Sequence, residues 1–181
     1  MKLTADLINS SPSYINTLKD RELSLRGHRI PLLENLGASK DLNDTIDLTD
    51  NDLTHLTNLP RLPRLRRLLL ARNRIAHIAP PPALANAVPN LTTLVLTSNT
   101  IGSLDEIDNL SELKKLAYLT LIDNPVTRKE NYRLYVIAKV PSVRILDFQK
   151  VKQSEREEAR SLYGGHDEEE DGSGEEDEDM S

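Results

Sequence analysis

The side chains with the most chemical potential are four histidines, His28, His55, His77 and His166, and a block of carboxylates near the C-terminus. His55 and His77 each lie four residues past an asparagine, Asn51 and Asn73. If the chain winds with that spacing, the two rings stack about one strand spacing apart, about 5 Å. Two imidazoles would start a metal site, but the next equivalent position holds Ser103, a poor third ligand, so exposed surface histidines are expected and no metal. The absence of cysteine excludes disulfides, thiolate zinc sites and a cysteine nucleophile. No glycine-rich phosphate loop, His-Glu-x-x-His helix or nucleophile elbow occurs. The clustered carboxylates sit in a charge run that cannot hold two of them at catalytic separation in a dry site. The sequence therefore predicts no catalytic residue, no cofactor and no small-molecule substrate. The chain is read as a binding protein, not an enzyme.

A binding protein needs a scaffold, and the chain repeats itself. The pattern apolar-x-apolar-x-x-Asn-x-apolar recurs at Ile46/Leu48/Asn51/Leu53, Leu68/Leu70/Asn73/Ile75, Leu94/Leu96/Asn99/Ile101 and Leu119/Leu121/Asn124/Val126. A degenerate copy, Leu23/Leu25/His28/Ile30, precedes them, and the steps are 23, 22, 26 and 25 residues. This is a leucine-rich repeat. In a short strand alternate side chains face opposite ways, so the paired leucines point into the core and the residue between them points out. The asparagines are read as structural, satisfying backbone groups where the chain leaves each strand. Leu59, Leu62, Leu65, Leu113 and Leu116 line the return arms. Ala79-Pro80-Pro81-Pro82, in the longest step, reads as a rigid polyproline-like loop on the convex side.

The expected fold is α/β: a leucine-rich-repeat solenoid of about five repeats, with a parallel β-sheet on the concave face and helical caps at both ends. Thr4 to Asn9 reads as a short helix whose neighbourhood, Leu3, Leu7 and Ile8, covers the first turn. Lys129 to Lys139 reads as a helix ending before Pro141, followed by a strand at Val143 to Leu146. A last helix is expected from a Ser154/Glu157 capping box to Gly164-Gly165. Residues 1–163 form the repeat domain and residues 164–181 an acidic tail expected to be disordered. Phosphorylation of Ser173 in that tail would have little structural consequence.

Ten of the 29 acidic residues lie between Asp167 and Asp179, which leaves residues 1–166 with 23 basic and 19 acidic groups. A mildly basic body is compatible with a nucleic-acid neighbour. No stretch has the roughly 20 apolar residues of a membrane helix, and no signal sequence is evident at the start, so a soluble intracellular protein with no membrane contact is expected. The outward strand positions are the candidate partner site: Ser24, Asp47, Leu69, Val95 and Thr120, flanked by Arg26, Thr49, Ala71, Arg72, Thr97, Tyr118 and Ile122. Leu69, Val95, Tyr118 and Ile122 have no core role in this register, and a contiguous apolar strip marks an interface.

The end segments are more specific than the repeats. They include Lys2-Leu3-Thr4-Ala5-Asp6-Leu7-Ile8, Asp20-Arg21-Glu22-Leu23-Ser24-Leu25-Arg26-Gly27 and Glu34-Asn35-Leu36-Gly37-Ala38 at the front. Asn124-Pro125-Val126-Thr127, Tyr132-Arg133-Leu134-Tyr135-Val136-Ile137 and Leu146-Asp147-Phe148-Gln149-Lys150-Val151-Lys152 follow at the back. Together, across about residues 2 to 163, they resemble the A-prime family of the spliceosomal U2 small nuclear ribonucleoprotein. The resemblance implies a nuclear, non-catalytic subunit that acts in pre-mRNA splicing among other spliceosomal proteins. Its concave face would hold a helix of an RNA-recognition-motif partner, the B-double-prime protein, and the pair would bind a stem-loop of U2 RNA. Lys2, Arg21, Arg26, Arg29, Lys150 and Lys152, near the solenoid ends, are the candidates to approach RNA phosphates. His28 and the dense acidic tail depart from the pattern. The tail also resembles the acidic leucine-rich nuclear phosphoproteins, which implies histone binding as the alternative.

Overall fold

The computed structural model describes residues 1–164. Six parallel strands form the repeat sheet: β2 (Arg21–Ser24), β3 (Thr45–Asp47), β5 (Arg67–Leu69), β7 (Thr93–Val95), β8 (Tyr118–Thr120) and β9 (Ile145–Leu146). β4 (His55–Leu56) and β6 (His77–Ile78) form a separate two-stranded ribbon beyond the asparagine turns. The register puts Leu23, Ile46, Leu68, Leu94, Leu119 and Leu146 side by side, all at most 3% exposed. Each strand alone could not bury its apolar side; stacking one coil on the next makes a continuous aliphatic core. Leu62, Leu65, Leu113 and Leu116 close that core from the return arms, with Leu59 partly buried against it.

The asparagines form a one-directional ladder. The side-chain amide of Asn99 donates to the carbonyls of Leu70 (3.0 Å) and Leu96 (2.9 Å), while its oxygen accepts from the backbone of Ile75 (3.0 Å). Asn51, Asn73 and Asn124 do the same one coil apart. Each thus satisfies buried backbone groups of its own coil and the one before. The first turn has no earlier repeat to reach back to, so His28 can occupy the asparagine position there. The residue before each ladder position, Gly27, Asp50, Arg72, Ser98 and Asp123, has positive φ, which turns the chain out of the strand.

Step length decides what the convex side contains. The 22-residue step returns without a helix, whereas the 26- and 25-residue steps accommodate α2 (Ala83–Ala87) and α3 (Asp105–Asp108). The prolines before α2 are therefore not an extended spacer: Pro82 is the N-cap of that helix, a place where a missing N–H costs nothing.

Both ends differ from the sequence expectation in instructive ways. At the front, the expected short helix is present as α1 (Ala5–Ser10), with Thr4 as its N-cap and not its first residue, the Thr4 Oγ1 accepting from the Leu7 backbone at 3.1 Å. An unexpected strand, β1 (Ser13–Ile15), then pairs antiparallel with β2, and β10 (Gln149–Lys150) pairs antiparallel with β9. The sheet is parallel only between its two end strands, because a hairpin is the shortest way to cover a parallel edge. At the back, α4 (Tyr132–Lys139) starts after a 3-10 turn at Pro125–Arg128. α5 (Gln153–Tyr163) begins before the expected cap: Glu155, not Glu157, accepts from the Lys152 backbone (3.0 Å). Glu155 is held there by Arg133 of α4, Nε to Oε2 2.6 Å, a tie that sequence spacing cannot reveal. The same guanidinium donates to the Leu146 carbonyl (3.0 Å), locking both helices to the last strand. The expectations for residues 165–181, including the acidic run and Ser173, lie outside the described residues.

Candidate functional site: the concave face

The ladder defines three outward rows. The first is Glu22, Thr45, Arg67, Thr93, Tyr118 and Ile145; the second is Ser24, Asp47, Leu69, Val95 and Thr120. Backbone hydrogen bonds extend the ladder to a third row, Arg26, Thr49, Ala71, Thr97 and Ile122. The candidate residues of the second and third rows, with Tyr118, therefore share one face. Arg72 does not belong to a row: it sits in the left-handed turn and pairs with Asp50 at the rim, Nη2 to Oδ2 2.7 Å.

Reading the same face by coil shows a gradient of chemistry. In the first two coils the outward groups satisfy one another. Tyr14 donates to Glu22, Arg26 Nη1 reaches Asp47 Oδ2 at 3.1 Å, and Asp47 Oδ1 accepts from the Thr49 backbone at 2.9 Å. The bond to Glu22 keeps the Tyr14 hydroxyl above its ordinary pKa. Arg67 Nη1 lies 2.9 Å from Asp20 Oδ2, an ion pair by distance without the angle of a hydrogen bond. In the middle, Leu69 and Val95 are register neighbours and half-buried. In the last coils Tyr118, Ile122 and Ile145 are joined by Phe148, whose ring meets Tyr118 edge-on at 6.0 Å and is 68% exposed. Burial raises the Tyr118 pKa, with Asp147 adding to it, so this phenol stays neutral.

Outward position is not the same as exposure. Asp47, Thr49 and Thr120 are 4, 6 and 1% exposed. The concave side of a curved sheet crowds its own side chains: Arg26 covers Asp47, and Thr97 bonds Thr120 at 3.2 Å. These three support the face more than they offer surface. Tyr14, Glu22, Thr45, Arg67, Thr93, Ile145 and Phe148 were missed by the sequence reading. The first-row members had a signal, since they lie two residues before the second row and share its parity. Phe148 had none beyond being the single phenylalanine in a polar stretch, because its direction is set by the β9–β10 hairpin.

The RNA-proximal candidates form two separate groups. Lys2, Arg21, Arg26 and Arg29 are exposed at the first coil, and Lys150 and Lys152 are exposed at the last. Six strand spacings of about 4.8 Å separate β2 from β10 along the sheet, roughly 29 Å, so the groups are not one patch. Away from the face, the His55 and His77 rings stack at 5.1 Å, as the repeat spacing required, and His77 Nδ1 lies 3.0 Å from Glu106 Oε1. Among the described residues no group of three or more histidine, aspartate or glutamate side chains is arranged to hold a metal ion. Among the described residues no helix is long and apolar enough to cross a membrane.

The family model described as leucine-rich repeat matches residues 1–172. The chain is 57% identical over 164 residues to the U2 small nuclear ribonucleoprotein A' of Aspergillus fumigatus, covering 91% of this chain and 64% of that protein. It is 53% identical over 170 residues to that of Arabidopsis thaliana, covering 94% and 68%. The human protein of the same name is 51% identical over 165 residues, covering 91% and 64%. The chain thus spans about two thirds of the length of these relatives. Among solved structures, the Drosophila melanogaster SNF/U2A' complex contains a similar chain, with a TM-score of 0.87 and 49% identity, covering 92% of this chain and 94% of that one.

Proposed function

Because the chain belongs to the leucine-rich-repeat family, among the U2 small nuclear ribonucleoprotein A' proteins, we propose that it is a nuclear, non-catalytic subunit of that particle. In this reading its concave face holds a helix of an RNA-recognition-motif partner of the B-double-prime type, and the pair binds a U2 RNA stem-loop during pre-mRNA splicing. The observation that carries the reading is the unpaired apolar and aromatic end of the concave face, Tyr118, Ile122, Ile145 and Phe148, beside Leu69 and Val95. A curved sheet with an apolar strip fits an amphipathic helix, which would bury that strip. The relative solved as a complex with SNF is consistent with a protein partner for this fold.

Base recognition falls to the partner. Among the described residues the concave face has no stacked array of aromatic platforms, and its first three coils use their charges internally. The isolated chain should bind the stem-loop weakly at physiological salt.

The test mixes the full chain with a purified B-double-prime-type protein and measures complex formation by calorimetry, with Leu69→Glu and Ile122→Glu as variants. Wild-type binding, lost in both variants, supports the reading. Failure of the wild type to bind that protein, with binding of histones instead, would replace it with the acidic leucine-rich phosphoprotein alternative. Tight stem-loop binding by the chain alone would overturn the division of labour.

A further inference from the structure

A second charged feature lies outside the concave rows, along the lip where the chain enters each strand. Backbone bonds stack the residues that precede the strands: Arg66 on Asp44 (2.8 Å), Thr92 on Arg66 (2.8 Å), Ala117 on Thr92 (2.9 Å) and Arg144 on Ala117 (2.8 Å). This lip is locally cationic. From Arg61 to Lys115 the arms leading into β5 and β8 contribute Arg61, Arg64, Arg66, Lys114 and Lys115, with Arg144 continuing the line one coil on. Between them opens a cleft of about 510 Å³ lined by Arg64, Arg66, Arg67, Asn90, Thr92 and Lys115.

Two carboxylates also border the cleft, and both are committed. Asp44 holds Arg64 (3.1 Å) and Asp20 holds Arg67 (2.9 Å). The Arg64 hydrogen bond, followed by the Arg21 backbone donor, keeps the Asp44 carboxyl below its ordinary pKa. Arg66 and Lys115 are exposed and form no ion pair among the described residues; Lys115 Nζ donates only to Asn90 Oδ1, at 2.7 Å. The cleft therefore presents two cations without an ion pair, with Pro63 as its one apolar lining residue; the flanking Asn90 amide donates to the Pro63 carbonyl (2.7 Å) and the Thr92 hydroxyl to the Arg66 carbonyl (3.1 Å). The Arg66 guanidinium and the Lys115 ammonium suit phosphate oxygens, which such side chains contact without reading sequence. An acidic peptide would seek apolar pockets or strand pairing as well, and the cleft supplies neither.

We propose that this strand-start lip, centred on Arg66 and Lys115, is a phosphate-backbone binding surface for RNA, distinct from the basic groups at the two solenoid ends. The inference deepens the RNA part of the proposed function and rests on it. It gives the chain its own, sequence-independent hold on RNA, on a surface separate from the apolar end of the groove where the partner's helix is proposed to lie. Arg66 and Arg144 are three strand spacings apart, about 14 Å, enough for two or three successive phosphates of one strand.

The experiment titrates the full chain with a fluorescein-labelled 20-base-pair RNA duplex of arbitrary sequence, from 50 to 200 mM salt. In Arg66→Glu/Lys115→Glu the affinity at 50 mM should fall at least tenfold and the salt slope should drop by about two. Arg66→Lys/Lys115→Arg should retain binding, and unchanged thermal melting of both doubles shows that the fold is intact. Undiminished RNA binding in the charge-reversed double, or no measurable binding by the wild type, would overturn the lip. Loss in Arg29→Glu/Lys152→Glu alone would assign the contacts to the solenoid ends. A poly-glutamate probe that loses binding in the lip variant while RNA does not would assign the cleft to acidic polypeptide. Calorimetry with the partner protein contains no RNA, so a failed lip and a failed groove give different results.

Discussion

The first two coils and the last two coils of the concave face share a backbone and differ in what their outward side chains do. At the front, Tyr14, Glu22, Arg26 and Asp47 are one another's partners, and their polar groups are spent before any other molecule arrives. At the back, Tyr118 meets Phe148 and pairs in register with Ile145, and with Ile122 these residues leave apolar surface to water. Burial of such surface contributes about 25 cal/mol per Å² on association, whereas a satisfied surface ion pair contributes about 0 to 1 kcal/mol. Affinity should therefore reside in the last coils, and the first coils should set shape and exclude wrong partners through charge.

The sharpest way to break this comparison is to place the same charge in both halves. Ile122→Glu should weaken partner binding about 100-fold or more, because a carboxylate would be buried without a counterion. Ser24→Glu, in the polar half, should cost less than about fivefold, because a charge at a solvated part of an interface mainly alters the association rate. Equal losses in calorimetry would mean that the halves are not different. The complementary experiment reads stability: Asp47→Ala strips the Thr49 backbone N–H of its acceptor and Arg26 of its partner, at a cost of about 2 kcal/mol in chemical denaturation. Its partner affinity should change by less than about threefold, since Asp47 is 4% exposed.

Phe148 sharpens the contrast from the other side. At 68% exposure it supports little of the fold, so Phe148→Ala should leave the melting temperature unchanged while weakening the partner about tenfold. A melting loss without a binding loss would make Phe148 part of the cap instead.

The smallest effect concerns pH. The Arg133 hydrogen bond, opposed by partial burial and helped by the Lys152 backbone, lowers the Glu155 pKa. A carboxyl lowered in the folded state binds fewer protons there than when unfolded. Its contribution is thus present above the ordinary glutamate value, about 4.3, and is lost as pH falls through the lowered folded value. Glu155→Gln should lose that contribution already at neutral pH and flatten the acid side of the stability profile. At the polar half, the Arg72 hydrogen bond likewise lowers the Asp50 pKa, but the pair stands in solvent, so Asp50→Asn should change the profile far less.

Much of this was legible because a repeat converts spacing into geometry. The strand leucines, the asparagine ladder and the 5.1 Å histidine stack all follow from periods of 2 and of 22 to 26 residues. What escaped was non-periodic. Pro82 capping a helix and the two antiparallel edge hairpins are local features outside the repeat pattern, and Glu155 replaces Glu157 as the capping carboxylate because Arg133, 22 residues away, holds it.

The sequence by itself determined the solenoid, its register and which side chains point outward, because alternation along a strand and stacking between coils leave one arrangement that buries every leucine pair. Only the tertiary structure decided which outward residues reach solvent. Curvature crowds the concave side, so that Asp47 is paired with Arg26, Thr120 is bonded to Thr97 and Thr49 is likewise buried, while the closing hairpin swings Phe148 into the open. It likewise brought Arg66 and Lys115, 49 residues apart, to one cleft, since adjacent coils turn distance along the chain into a few strand spacings.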